Sequence, residues 1–135
     1  MIEISKSIVE SLVSFAEAKH PIEACGLLLS KKESPAQTRF VPMANVANSE
    51  EYFQFNPAEQ LKVWKEMEAN GEFPLAVFHS HTHSEAYPSR TDVEFSGHPE
   101  CHYLIVSTDA AVEDKLRSFR ISSNIVIEES VRILN

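Results

Sequence analysis

The chain has 135 residues, 43% hydrophobic and 24% charged, with a formal net charge of −8. That length suits one domain over 1–135 with a single sizeable core, and the negative charge argues against a nucleic-acid partner, whose phosphates need a basic surface. Two cysteines, Cys25 and Cys101, are too few for a disulfide framework, no stretch reaches the ~20 apolar residues of a membrane span, and Met1-Ile2-Glu3-Ile4-Ser5 does not open a signal peptide; the expectation is a cytoplasmic protein with reduced thiols and no membrane partner.

The first predicted element is a helix from Ser5 to His20, with Ile8, Leu12 and Phe15 on one face and Val9, Val13 and Ala16 beside them. Pro21 stops it, because proline bars the preceding residue from the helical region. Cys25 to Ser30 reads as a buried strand, Thr38 to Met43 as a second strand, and Ala44 to Tyr52 as a polar loop. A second helix starts at Asn56, with Asn56 as cap, Pro57 at the first helical position and Glu59 closing a capping box. Its apolar stripe is Ala58, Leu61, Trp64 and Met67, and Asn70-Gly71 ends it. Pro74 to Ser80 is short and apolar, which predicts a central strand. Three strands follow, His102 to Thr108, Lys115 to Ile121 and Asn124 to Glu128, with Ser122-Ser123 as the turn of a closing hairpin. Alternating helical and strand periods give an α/β or α+β class.

The chemistry concentrates in His79-Ser80-His81-Thr82-His83-Ser84-Glu85-Ala86-Tyr87-Pro88-Ser89-Arg90-Thr91-Asp92. His79 and His81 are two apart at the end of a predicted strand, so both imidazoles face the same side and can reach one metal ion at ~2.0–2.1 Å. Asp92 can supply a third ligand once the intervening loop folds back. Two nitrogens and one carboxylate leave a tetrahedral position open, the mark of a catalytic zinc site, where water has its pKa lowered to roughly 7. Zinc fits the ligand types best, and other divalent metals of similar preference share them.

Such a site needs a proton acceptor. Glu23 precedes an apolar strand in His20-Pro21-Ile22-Glu23-Ala24-Cys25-Gly26, where desolvation would raise its pKa toward a useful range. On composition alone a solvated glutamate in a helix-to-strand loop is the commoner case. Ser89-x-x-Asp92 also reads as a capping box for a helix starting near Arg90. Cys25 and Cys101 read as small core residues, His83 as solvent-exposed, and His20 and His98 as surface residues at element ends.

Taken together, these residues resemble the signature of the JAMM (MPN-plus) zinc metalloproteases: an upstream glutamate, His-x-His, seven residues, Ser, two residues, Asp. His79, His81, Ser89 and Asp92 match every position. The resemblance implies that His79, His81 and Asp92 hold the metal, that Glu23 is the acid–base residue and that Ser89 steadies the oxyanion. It also implies a curved mixed β-sheet flanked by helices. Glu23-Ala24-Cys25-Gly26, Glu59-Gln60-Leu61-Lys62-Val63-Trp64 and Ala86-Tyr87-Pro88-Ser89-Arg90-Thr91-Asp92 are similar to the bacterial Mec branch, whose members trim ubiquitin-like sulfur-carrier proteins at the C-terminal tail, the best-known type releasing cysteine in cysteine biosynthesis. Thr82 stands where the eukaryotic deubiquitinases usually have proline, and the chain lacks room for their large insertions; both points count against a deubiquitinase. The rivals are a general peptidase or isopeptidase acting on another ubiquitin-like tail, and a metal-free MPN scaffold, which has no need of an intact ligand, base and serine set. A zinc nucleobase deaminase is excluded by the missing Pro-Cys-x-x-Cys pair. The expected substrate is the carrier's Gly-Gly tail, bound as an extended strand, with Met43 to Tyr52 as the expected receiving edge.

Overall fold

The computed structural model describes residues 1–31 and 35–135. Helix α1 (Lys6–Lys19) begins where Ser5 Oγ accepts the Ile8 amide at 3.3 Å. It ends at His20, whose ψ of 132° is the extended value that Pro21 demands. Leu12 and Ala16 are buried, and Ile8, Val9, Val13 and Phe15 pack around them on the predicted face.

Strands β2 (Cys25–Ser30), β3 (Thr38–Met43), β4 (Phe73–His81), β5 (His102–Ser107), β6 (Leu116–Ser122) and β7 (Ile125–Glu129) form one six-stranded sheet in the order β3-β2-β4-β5-β6-β7. All neighbours run antiparallel except β4 and β5, so the sheet is mixed, as the resemblance implied. Helix α1 covers one face over Leu28, Ala76, Phe78, Leu104 and Val106. Helix α2 (Pro57–Ala69) lies against the other, with Val63 and Met67 over Leu27, Val77, Tyr103 and Ile105. Within β2, Gly26 lies so close to β3 that a Cβ would meet the Val41 carbonyl at 2.5 Å. Among the described residues no helix is long and apolar enough to cross a membrane.

The structure corrects several local expectations. Strand β1 (Ile2–Ser5) pairs in parallel with β8 (Val131–Leu134); four residues at each end of the chain are too short for a period to stand out, although Ile2 and Ile4 are both buried. The α2 cap forms, with Asn56 Oδ1 accepting from Ala58 and Glu59. Glu59, however, turns away from a capping box and accepts the Ala44 amide at 2.9 Å. The buried stripe of α2 is Val63 and Met67, while Leu61 is 57% exposed, because the helix is rotated to lay those residues on the sheet. The final turn falls at Ser123-Asn124, both in the left-handed region at φ 51° and 63°, the pair of values a two-residue hairpin requires and asparagine tolerates. Met43 alone of the expected receiving edge is strand; residues 44–52 turn back through Asn48 (φ 48°) and meet their own continuation at an Asn45–Phe55 bridge.

Candidate active site

The registers of β4 bring the site together. Pairing of Cys25 with His79 in the antiparallel β2–β4 ladder sets Ala24 beside Ser80 and Glu23 opposite His81. Ser80 closes the ladder there: its amide donates to the Ala24 carbonyl and its Oγ accepts the Ala24 amide, at 2.9 and 2.8 Å. His79 and His81 point to the face of α2, and both are buried.

Asp92 arrives from the other side of the 82–89 loop. Helix α3 (Arg90–Glu94) has Ser89 as its cap, with Ser89 Oγ accepting the Asp92 amide and Asp92 Oδ2 accepting the Ser89 amide, at 3.1 and 2.8 Å. The reciprocal cap fixes the carboxylate so that the same Oδ2 lies 3.1 Å from His79 Nε2 and 3.0 Å from His81 Nε2. The two Nε2 atoms are themselves 3.1 Å apart. The His81 ring is locked by Nδ1, which donates to the Glu85 carbonyl at 2.9 Å, so in its neutral form Nε2 presents a lone pair to the cluster.

Two imidazole nitrogens and one carboxylate oxygen, all on buried side chains, therefore converge on one point, where a cation would offset the cost of burying the carboxylate. Corners of a tetrahedron whose centre is ~2.0–2.1 Å away stand about 3.3 Å apart, close to the spacings observed. His79, His81 and Asp92 could thus hold one divalent ion, and they are the His/Cys/Asp/Glu group of that kind among the described residues.

The electrostatics follow from burial and mutual contact. Burial pushes His79 down, with Asp92 opposing. Burial also acts to lower His81, but the bonds to Asp92 and Glu85 outweigh it and hold this ring above its ordinary value. Burial raises Asp92, and the two imidazoles together with the Ser89 amide overcome it, holding the carboxyl well below the usual range. Glu23 is 3% exposed, and its Oε1 is buried with no hydrogen-bond partner. Burial first, then the negative charges of Asp92 and Glu51, raise its carboxyl to about 8, against the pull of His81. The solvated alternative for Glu23 is thereby excluded.

The remaining residues fall where their chemistry suggests. Burial pushes the thiols of Cys25 and Cys101 up to about 12 and about 11, which makes both inert core residues. His83 is exposed and pairs with Glu50 at 2.8 Å, and His20 bonds Thr108 at 2.7 Å. His98 lines a groove of about 500 Å³ that opens beside His79 and Asp92, walled by Phe53, Phe55, Val77, Phe95 and Tyr103. Phe53 was invisible as a site residue in the sequence. Its ring stacks on His79 with centroids 4.6 Å apart and planes at 26°, and the only sequence signal was a pair of aromatic residues, Phe53 and Phe55, closing a polar segment.

The mixed sheet and the His-His-Asp donor cluster fit the JAB/MPN class. The family model described as prokaryotic homologs of the JAB domain matches residues 5–122, and the chain belongs to that family. It is 42% identical over 131 residues to the CysO-cysteine peptidase of Mycobacterium tuberculosis, covering 97% of this chain and 90% of that protein. It is 31% identical over 104 residues to a desampylase of Haloferax volcanii, covering 76% and 75% of the two chains. A solution structure from Desulfitobacterium hafniense superposes with a TM-score of 0.82 at 33% identity, over 99% of this chain and 93% of the other. A structure described as a JAMM metalloprotease-like zinc site in the proteasome and signalosome shares the fold, with a TM-score of 0.59 at 16% identity, over 100% and 99% of the two chains. By family and relatives this chain is a peptidase.

Proposed function

We propose that residues 1–135 form one cytoplasmic, zinc-dependent catalytic domain that cleaves the amide bond at the C-terminal tail of a ubiquitin-like sulfur-carrier protein after its Gly-Gly, releasing cysteine for cysteine biosynthesis. The observation that carries this is the convergence of His79, His81 and Asp92 on one point, with a buried, unpartnered Glu23 opposite His81. The peptidase relative named for CysO-cysteine supports the substrate.

His79, His81 and Asp92 would hold the metal. Zinc, when bound, supplies Lewis acidity toward the scissile carbonyl and lowers the pKa of water. Glu23 takes the proton of the attacking water and returns it to the leaving amine. The geometry suits this exchange, because a carboxylate with no partner of its own and little solvent has its basicity to spend on the substrate. Ser89 Oγ accepts from the Asp92 amide, which leaves its hydroxyl proton to donate to the carbonyl oxygen as charge develops there. The groove beside His79 and Asp92 takes the tail, and the glycines at the scissile bond let its backbone approach the donor cluster closely.

Mass spectrometry tests the reading. Purified enzyme is incubated with a carrier protein bearing a C-terminal cysteine, with ubiquitin chains and with a random peptide pool. Loss of one cysteine from the carrier, the others untouched, is expected. The desampylase relatives favour a second reading, cleavage at another ubiquitin-like tail, and rapid cutting of ubiquitin chains with an intact carrier would select it.

A further inference from the structure

Glu23 is aimed without help at its tip. Since Oε1 has no hydrogen-bond partner, the direction of the side chain comes from the backbone that carries it. The 44–55 segment holds that backbone on both sides: the Glu23 amide donates to the Ser49 carbonyl at 2.9 Å, and the Glu23 carbonyl accepts from Asn45 Nδ2 at 3.0 Å. Asn45 makes three further bonds. Nδ2 also donates to the Tyr52 carbonyl at 3.0 Å, and Oδ1 accepts the Ala47 and Gln54 amides, both at 3.1 Å. Two N–H groups and two lone pairs are the whole capacity of a carboxamide, and here all four meet backbone. Two partners are carbonyls and two are amides, so only one of the two flips of the amide fits.

Two of those partners, Tyr52 and Gln54, flank Phe53, whose ring stacks on His79. His79 needs that restraint, because its Nδ1 is buried without a partner, whereas His81 is locked through Glu85. The acceptor half of Asn45 closes its own loop. Its donor half divides: one N–H also closes the loop at Tyr52, and the other reaches the entrance of β2 and secures the residue placed as the base.

We propose that Asn45 is a positioning residue for the hydrolysis: one carboxamide sets Glu23 through its carbonyl and His79 through Phe53, holding base and donor cluster in a fixed relation. The inference rests on Glu23 acting as the base.

The test compares Asn45→Asp and Asn45→Ser with the wild-type holoenzyme on the carrier bearing a C-terminal cysteine, with metal content, melting temperature and pH–rate profile measured in parallel. Asn45→Asp keeps the two acceptor bonds that close the loop and loses both donors; Asn45→Ser removes the carboxamide without adding charge. Both are expected to load metal as the wild type does and to lose about 10–100-fold in kcat, with KM within about threefold, the loss that an ångström-scale misplacement produces. The pH–rate profile of Asn45→Asp should move as well. Wild-type kcat in either folded variant overturns the proposal, as does a loss confined to KM or to melting temperature. Failure of both variants to fold also overturns it and leaves Asn45 a purely structural staple. Wild-type protein inactive on carrier and peptides alike overturns the parent reading and this inference with it; an active wild type with unaffected variants overturns this inference alone.

Discussion

Replacing Glu23 by glutamine in metal-stripped protein should remove a loss of stability that the wild type suffers as pH rises. In the unfolded chain this carboxyl ionises near its ordinary 4.5, and in the folded chain burial raises it to about 8. The stability Glu23 contributes is therefore complete below pH 4.5, declines as pH rises and is gone above about 8, because the folded state must then bury a charge. At ~1.4 kcal/mol per pH unit the full swing is about 5 kcal/mol, an upper bound, since water at the mouth of the groove screens part of it. Glutamine has the same shape and does not titrate. Urea denaturation of both chelator-treated proteins at several pH values from 4.5 to 9 measures the difference, and the other site groups are common to both. Wild type should lose ground steadily, with the variant the more stable of the two at pH 9. A difference that stays flat within about 0.5 kcal/mol, or that slopes the other way, refutes the buried, unpartnered carboxyl. Reloading zinc should flatten the slope, because a bound cation favours the ionised form.

Elemental analysis of protein purified without chelator should find one zinc per chain, and chelation should abolish cleavage until zinc is restored; a protein that neither holds nor regains metal is not the enzyme described. Glu23→Gln should eliminate turnover of the carrier while metal loading stays full, and near wild-type rates would remove Glu23 from the chemistry. Ser89→Ala should keep the metal and lose roughly 10²–10³ in kcat, the usual cost of one oxyanion donor; a much smaller loss, with stability lower by about 1 kcal/mol, would reduce Ser89 to the cap of α3. Gly26→Ala drives a Cβ to 2.5 Å from the Val41 carbonyl and 2.8 Å from the Phe40 ring, and should destabilise the fold by about 1–3 kcal/mol in thermal or urea melts; unchanged stability would mean that β3 moves freely.

Much of the molecule is legible in its sequence. Leu12 and Ala16 fall on the buried face of α1, where a helical period can be read over fourteen residues, and β2 and β3 match their predicted bounds, Cys25–Ser30 and Thr38–Met43. Short elements were lost: β1 and β8 carry too few residues for a period to register, and each is stabilised by the other end of the chain. The stripe of α2 departs from the predicted one because Leu61 and Val63 are both strongly apolar, and only docking on the sheet decides which is buried.

The site divides along the same line. The spacing of His79, His81, Ser89 and Asp92 is local: strand alternation puts both imidazoles on one side and the capping box ties Ser89 to Asp92, while the path of the 82–89 loop brings the two pairs together. Glu23 and Asn45 belong to the tertiary structure. No period links Glu23 to a histidine 58 residues away; the β2–β4 register, fixed at Cys25 and His79, sets them opposite. Whether Glu23 was solvated or buried was likewise undecidable in sequence, since burial depends on which segments cover it. Asn45 looked like any polar loop residue until four backbone groups from Glu23, Ala47, Tyr52 and Gln54 closed around its carboxamide. Local bonding leaves its imprint on residue spacing, whereas contacts made by chain crossing exist only once the sheet has chosen its register.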